Sequence, residues 1–287
     1  MKNKIFILGV GRTGSQMMMN VLNKHSKVFI DNEINFLLRF KRDIVSEVKK
    51  IGNLENDENV SKLVDVLYSD KIRRDYPIMG KIPKEEFRKK FLSSDRTLKS
   101  LFSLMIDIKA DLENKEITGA KFPVHFSYLS LLHSWFPDSK IIFLTRDPRA
   151  IYASELEMKK RRTYESQFPI REKSPFYRLA VLAYVVLQWN WAQRVYFNYQ
   201  KKHRIFLSKY EEFVLHPEEQ IRKICNFLDI DFEQEMLDIV LQDSSHEKEA
   251  KRGFNTTTVE KWRYKLNGFE KTVISLLTFI QRKKIGY

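Results

Sequence analysis

The sequence holds one cysteine and no long apolar run, and both shortages exclude classes of protein. Cys225 is the single cysteine among 287 residues, so the chain can form neither an intrachain disulfide nor a cysteine-based metal cluster. It follows Ile224 in an apolar helical pattern, which predicts a buried, inert thiol. The apolar stretches at residues 5–8 and 273–280 are too short to cross a bilayer and predict neither a signal peptide nor a membrane anchor. We therefore expect a cytoplasmic protein that could still associate with a membrane surface.

Acidic residues are also scarce relative to basic ones. Lysine and arginine number 51 against 37 aspartates and glutamates, which gives a net charge of +14 and a pI near 9.6. This surplus favours an anionic partner, which could be a polyphosphorylated cofactor, a charged glycan, a membrane surface or a nucleic acid. The sequence has no helix-turn-helix, zinc or ribonucleoprotein signature, so we do not expect a nucleic acid. A non-catalytic polyanion-binding protein remains an alternative.

Short apolar segments alternate with helical patterns along the chain. We predict strands at residues 5–8, 28–30, 117–122, 141–145 and 205–207, and helices from residue 15 and over 176–202, 217–228 and 269–282. This alternation indicates an α/β protein with a central parallel sheet between two layers of helices. Polar residues follow several of the strands, where ligands of such sheets bind.

A glycine-rich loop follows the first predicted strand. Residues 9–15 read Gly-Val-Gly-Arg-Thr-Gly-Ser, and a helix is predicted from Ser15, an arrangement that forms a cradle for phosphate or sulfate. Gly9 and Gly14 have the spacing of a P-loop, but Ser15 and Gln16 stand where its lysine and magnesium-binding hydroxyl would be. A metal-dependent nucleotide or small-molecule kinase is therefore disfavoured, and Arg12 supplies the cation instead. An ordinary strand–helix turn and a degenerate dinucleotide loop are the other interpretations.

A second anion-binding candidate lies at residues 140–154. Arg146 ends a predicted strand, and Asp147 before Pro148 suits the start of a helix. Ser154 follows about two helical turns later, so Arg146 and Ser154 could reach one phosphate. The competing interpretation pairs Arg146 with Asp147 or Asp138 and leaves Ser154 on a helix surface.

Together these two segments resemble the sulfotransferases that use 3′-phosphoadenosine 5′-phosphosulfate (PAPS), and the resemblance covers most of the chain. It implies a P-loop-like three-layer α/β/α fold in which Arg12 and loop N–H groups hold the 5′-phosphosulfate, while Arg146 and Ser154 hold the 3′-phosphate. The implied N–H donors are those of Thr13, Gly14, Ser15 and Gln16. Residues 209–217 resemble the family's tyrosine-acid segment, so Tyr210 would line the nucleotide pocket, and residues 251–253 resemble its closing basic loop, which includes Arg252.

The subgroup most similar in these motifs is the tyrosylprotein, Golgi-type and bacterial enzymes, which carry arginine in the first loop. That subgroup places a catalytic glutamate about twenty residues later, and Glu33 occupies this position. Lys121 resembles the family's central lysine, and with Arg12 it would stabilise developing charge. His125 is the competing base. The structural alternatives are a glutamate that starts a helix, an exposed strand-end lysine, a structural histidine and, for Tyr210, a core tyrosine.

The resemblance implies a single domain over residues 1–287 with a mostly helical acceptor-side insertion at about 36–115. The expected reaction moves a sulfuryl group from PAPS to a hydroxyl of a glycan, glycolipid or other large acceptor, in line and with no metal. A protein tyrosine is the alternative acceptor. Residues 36–115 and 155–178 are expected to shape the acceptor cleft, with basic and aromatic side chains at Arg39, Phe40, Lys159, Arg161, Arg162, Tyr164 and Phe168.

Overall fold

Five parallel strands form the central sheet of the computed structural model, which describes residues 2–32, 36–37, 44–69, 82–161, 176–241 and 251–287. The strands are β1 (Asn3–Gly9), β2 (Val28–Asp31), β3 (Ile117–Lys121), β4 (Lys140–Thr145) and β5 (Ile205–Lys209), in the order β2-β3-β1-β4-β5. Two further strands, β6 (Val240–Leu241) and β7 (Lys251–Arg252), form a small antiparallel pair. The five predicted strands and their parallel arrangement are confirmed.

The central strands are flanked by helices on both faces. The helices are α1 (Ser15–Lys24), α2 (Ile44–Ile51), α3 (Asp57–Leu67), α4 (Lys84–Leu92), α5 (Leu98–Leu112), α6 (Leu129–Trp135), α7 (Pro148–Arg161), α8 (Tyr177–Tyr199), α9 (Tyr210–Leu215), α10 (Pro217–Leu228), α11 (Thr257–Glu260), α12 (Trp262–Lys265), α13 (Gly268–Leu277) and α14 (Phe279–Ile285). Two 3₁₀ turns cover Pro123–Tyr128 and Gln234–Leu237.

The alternation of side chains along β1 produces two separate cores. Phe6 and Leu8 pack in one core with residues of helices α2 to α8, whereas Ile5 and Ile7 pack in the other with residues of α1 and α10. Successive side chains of a strand point to opposite faces of the sheet, so both faces of β1 are buried, as parallel sheets require. The predicted three-layer α/β/α architecture is confirmed.

The cysteine prediction is confirmed as well. Cys225 lies in the second core, where its Sγ atom is 3.7 Å from Sδ of Met236. Burial raises the pKa of the Cys225 thiol to about 11, so the side chain stays protonated at neutral pH and is a poor nucleophile.

The C-terminal segment differs from its prediction in one respect. A single helix was expected over 269–282, but α13 ends at Leu277 and α14 begins at Phe279. Thr278 separates them, and its hydroxyl donates a hydrogen bond of 2.6 Å to the carbonyl oxygen of Ile274. Such back-bonding by threonine disturbs a helix, which explains the break.

Helices α2 to α5 lie within the region 36–115, of which the structure describes residues 36–37, 44–69 and 82–115. The domain limits and the role of this region as an insertion stay predictions. Within the described part of the chain, no helix is both long and apolar enough to cross a membrane.

Because all five strands are parallel, their carboxyl ends meet at one edge of the sheet. The last strand residues at this edge are Gly9, Asp31, Lys121, Thr145 and Lys209. Ligands of open parallel sheets bind at such an edge, and both predicted anion-binding segments begin there.

Candidate active site

Two glycines make the first loop possible. Gly9 has a φ of +148°, and a Cβ atom on it would lie 2.4 Å from the carbonyl oxygen of Leu144 in the adjacent strand. Gly14 has a φ of +83°, and a Cβ atom there would lie 2.7 Å from the ring of Tyr210. Arg12 also adopts a left-handed conformation, with a φ of +67°. Three left-handed residues within six positions turn the chain sharply from β1 into α1.

The loop leads directly into the N-terminus of α1. The Thr13 hydroxyl donates a hydrogen bond of 2.8 Å to the carbonyl oxygen of Val10, which closes the turn. Gly14 is the N-cap residue, no side-chain cap hydrogen bond is made there, and the first turn of α1 carries no acidic side chain. Ser15 and Gln16 then begin the helix. Its first backbone N–H groups, together with the positive end of the helix dipole, suit an anion.

Arg12 connects this loop to the second predicted segment. Its Nε atom donates a hydrogen bond of 3.0 Å to Oγ of Ser154, which lies on α7. Arg146 Nη1 in turn donates to the carbonyl oxygen of Arg12 at 3.1 Å. The structure therefore brings together the two segments that the sequence placed more than a hundred residues apart.

Arg146 itself is buried, with 8% of its surface exposed. Besides the bond to the first loop, its Nη2 atom donates to the carbonyl oxygen of Thr258 at 2.9 Å, and its guanidinium stacks on the ring of Tyr210 at 3.9 Å from the centroid. Its Nε atom is buried and has no hydrogen-bond partner among the described residues. A buried donor without a partner is costly, and an anionic oxygen would satisfy it.

The competing interpretation of Arg146 as an ion-pair partner of Asp147 is not what the structure shows. Asp147 Oδ1 instead accepts hydrogen bonds from the backbone N–H of Arg149 at 2.8 Å and from its Nε at 2.9 Å. Asp147 thus caps the start of α7, as its position before Pro148 predicts.

Two residues that the sequence analysis missed form hydrogen bonds with the backbone at the end of β4. Trp189 Nε1 donates to the carbonyl oxygen of Arg146 at 2.9 Å. Glu211 accepts the backbone N–H of Asp147 at 3.0 Å and the hydroxyl of Tyr287 at 2.6 Å. Burial raises the pKa of the Glu211 carboxyl above its usual range. Glu211 lies within the tyrosine-acid segment already noted at 209–217, so that pattern could have identified it.

The ring of Tyr210 stacks against the Arg146 guanidinium. Its hydroxyl is 2.7 Å from Oγ1 of Thr258. Because that threonine hydroxyl donates its hydrogen to the carbonyl oxygen of Asn255 at 2.7 Å, the Tyr210 hydroxyl is the donor in the bond between them. The tyrosine thereby fixes the segment around Thr258 against Arg146.

Lys121 is buried next to the first loop rather than exposed at the strand end. Only 4% of its surface is accessible, and its Nζ atom lies 3.4 Å from Oε1 of Gln16 in the first turn of α1. This location contradicts the alternative of an exposed lysine and places a cation beside the cradle.

His125 follows β3 in the 3₁₀ turn Pro123–Tyr128 and is 1% exposed. Its ring lies 4.5 Å from that of Phe122, centroid to centroid. Within the described residues neither ring nitrogen has a hydrogen-bond partner. Burial lowers the pKa of His125 to about 4, so the imidazole is neutral at pH 7 and carries an open acceptor.

Several predicted residues fall outside the described part of the chain. Glu33 is one of them. Asp31, two residues earlier, ends β2 and accepts a hydrogen bond of 2.6 Å from Lys109 Nζ. The backbone of Arg252 lies in β7, whereas its side chain is not described. The proposed cleft residues outside the described side chains are Arg39, Phe40, Lys159, Arg161, Arg162, Tyr164 and Phe168.

The fold and the site define a P-loop-like α/β protein in which two loops that suit anions are linked by hydrogen bonds, with no lysine in the P-loop register. The sequence profile of the sulfotransferase family matches residues 4–234. The chain therefore belongs to the sulfotransferase family.

Known proteins agree with this fold. The sulfotransferase domain of the Synechococcus PCC 7002 olefin synthase has a TM-score of 0.63 at 16% identity, over 100% of this chain and 96% of that one. Mouse sulfotransferase SULT7A1 complexed with PAP has a TM-score of 0.55 at 12% identity, over 98% and 84%. An uncharacterized protein of Aquifex aeolicus (strain VF5) is 24% identical over 98% of this chain, which spans about a third (32%) of that relative's length.

Proposed function

We propose that this chain transfers a sulfuryl group from PAPS to a hydroxyl of a glycan, glycolipid or other large acceptor. One observation carries the proposal: Arg146 donates to the carbonyl oxygen of Arg12, and Arg12 donates to Ser154. These bonds hold two loops that suit anions next to each other, which supports binding of a nucleotide with phosphate groups at both ends of its ribose. The family membership and the PAP carried by the mouse relative support the same donor.

The residues present fit this donor. Arg12 and the N–H groups of Thr13, Gly14, Ser15 and Gln16 would hold the 5′ end, which supplies the sulfuryl group. Arg146, through its unpartnered Nε, and Ser154 would hold the 3′-phosphate, while Tyr210 and Arg252 would line the nucleotide pocket. A Cβ at Gly14 would meet the ring of Tyr210, so the loop requires glycine there, and a glycine backbone can approach a ligand closely.

The chemistry requires charge stabilisation and a base. Lys121, buried beside Gln16, and Arg12 would stabilise negative charge at the transferring group. Glu33 would accept the proton of the acceptor hydroxyl, since it follows β2, which lies next to β3 in the sheet. His125 is the alternative base because its neutral ring has open nitrogens. A protein tyrosine stays the alternative acceptor, and cytoplasmic location stays a prediction.

Calorimetry with adenosine 3′,5′-bisphosphate and adenosine 5′-phosphate tests the proposal. Arg146→Ala should weaken binding of the bisphosphate by about 10- to 100-fold, the usual cost of a lost charged hydrogen bond. It should change the affinity for the 5′-phosphate far less. Arg222→Ala, at an exposed pair with Glu218, is the matched control and should leave both affinities unchanged.

Three outcomes would contradict the proposal. Equal losses for both nucleotides would remove Arg146 from the 3′ site. Binding of ATP with magnesium in preference to the bisphosphate would favour a kinase, and strong binding of a polyanion with neither nucleotide would favour a non-catalytic protein.

A further inference from the structure

The C-terminal helices α13 and α14 turn five large apolar side chains outward. Five large apolar residues within twelve positions are more than half exposed: Phe269 (69%), Leu276 (71%), Leu277 (56%), Phe279 (56%) and Ile280 (66%). The buried side of the same helices carries Ile274 and Ile285 together with the polar residues Glu270, Thr278 and Gln281. The solvent side is therefore apolar, whereas that of a usual surface helix is polar. We call the five exposed residues the outer face.

Contacts on the buried side of α13 and α14 fix the rotation of these helices about their axes. Glu270 accepts hydrogen bonds of 2.8 Å from the Tyr152 hydroxyl and from Arg178 Nε, and it forms a capping box with Asn267. Asn190 of α8 donates to the carbonyl oxygen of Leu277 at 3.0 Å. The orientation is therefore fixed by these polar contacts and by the buried side chains of Ile274 and Ile285, and the outer face stays exposed.

The same two helices also carry basic residues. Lys283 and Lys284 are exposed and Lys271 is half-buried, whereas Arg282 turns inward and donates to the carbonyl oxygen of Ser275. The single acid among residues 268–287, Glu270, is buried and paired with Arg178. A helix with exposed Phe, Leu and Ile next to lysines is typical of one that lies in the interface of an anionic bilayer. A second copy of the chain fits less well, because it would bring the lysines of two proteins with a net charge of +14 together.

We propose that the outer face of α13 and α14 docks on an anionic phospholipid bilayer. The helices lie in the plane of the interface, with Leu276 and Ile280 among the acyl chains and Lys283 and Lys284 at the headgroups. This interaction is independent of sulfuryl transfer. Exposed apolar patches of this kind mark interaction sites in soluble proteins.

Vesicle flotation tests the proposal with the protein and two probes, vesicles containing phosphatidylglycerol and vesicles of phosphatidylcholine alone. The protein should bind the anionic vesicles at least about 10-fold more tightly, since each lysine near an anionic surface contributes to the attraction. Leu276→Ser/Ile280→Ser should weaken this binding by about 10-fold or more, because the buried methylene groups are lost. Lys283→Gln/Lys284→Gln should weaken it by a similar factor and reduce its salt dependence.

A matched control separates the outer face from general surface hydrophobicity. Leu112→Ser/Leu215→Ser removes two leucines of comparable exposure, 50% and 48%, outside these helices, and should bind vesicles like the parent protein. A thermal denaturation midpoint equal to that of the parent protein shows that each variant is folded.

Three results would overturn the docking proposal. The parent protein could leave both kinds of vesicle unbound, or Leu276→Ser/Ile280→Ser could bind them as the parent does. Sedimentation could also show a dimer of the parent protein that the same double variant dissociates, in which case a second copy covers the outer face.

Discussion

Arg146 uses two of its donors to hold the protein backbone and leaves a third, the buried Nε, without a partner among the described residues. Its two terminal nitrogens hold the carbonyl oxygens of Arg12 and Thr258, and its ring partner Tyr210 packs against its plane. The guanidinium is therefore fixed before any anion arrives, which lowers the entropic cost of binding. An arginine suits this role because its planar fork can bond in several directions at once.

The proposed base yields a prediction for a single residue. Glu33→Gln should lower turnover by about 100-fold or more, the usual contribution of general base catalysis, because an amide cannot accept the proton. Affinity for adenosine 3′,5′-bisphosphate should change little, since the nucleotide contacts belong to other residues. Turnover with labelled PAPS and a suitable acceptor, together with calorimetry, measures the two effects.

The exposed Glu113 provides the control for this experiment. Glu113→Gln removes a carboxylate at the other end of the molecule's sheet, before β3, and should keep full turnover. If Glu33→Gln also keeps full turnover, Glu33 is not the base, and His125→Gln becomes the decisive variant.

Residue positions could be predicted from the sequence only where the signal is local. Arg12, Arg146 and Ser154 were found because short patterns surround them, and the structure joins them by hydrogen bonds. Thr258 was not found, because it reaches Arg146 through a backbone carbonyl that any residue type would provide. Tyr287 was missed because its partner Glu211 lies 76 residues away along the chain.

At the scale of elements, the first loop depends on the backbone of Gly14. Gly14→Ala places a Cβ at a φ of +83° and 2.7 Å from the Tyr210 ring. The left-handed conformation alone costs about 1–2 kcal/mol for a residue with a side chain, and Tyr210 would have to move away from Arg146. We expect affinity for adenosine 3′,5′-bisphosphate to fall by about 10-fold or more.

Gly268→Ala is the matched control for this change. Gly268 starts α13, and a Cβ there would meet no atom within 4 Å, so both nucleotide affinity and thermal stability should be retained. Calorimetry and thermal denaturation of the two variants measure the difference. Equal affinity in both variants would show that the loop can accept a side chain and that it is not a tight anion cradle.

The elements themselves were largely readable from the sequence. Strands β1, β2, β4 and β5 contain short apolar runs, as strands buried on both faces do, whereas β3 contains Thr118 and Gly119 and was predicted from its place before Pro123. The break at Thr278 was not readable, because threonine occurs within many helices and only its hydrogen bond to Ile274 reveals the interruption. The pair of Asp31 with Lys109 was also beyond sequence patterns, since it joins β2 to α5 across 78 residues.

At the scale of the whole molecule, burial of His125 links stability to pH. The ring is enclosed near Phe122 and Tyr128, and burial lowers its pKa from 6.5 to about 4. Between these values the unfolded chain binds more protons than the folded one. The stabilisation that depends on the neutral ring is therefore fully present above pH 6.5. As the pH falls towards 4, the free energy of unfolding decreases by about 2–3 kcal/mol.

Replacement of His125 by an apolar ring should remove this dependence. We compare the free energy of unfolding of His125→Phe with that of the parent protein at each pH. The value for the variant minus that for the parent should be about 2–3 kcal/mol larger at pH 4.5 than at pH 7.5. Urea denaturation at the two pH values measures the difference, and His216→Phe, at an exposed position, controls for the general effect of replacing a histidine. If the variant and the parent protein differ in free energy of unfolding by the same amount at both pH values, His125 takes up its proton as readily in the folded state as in the unfolded chain. His125 would then not be enclosed as the structure describes.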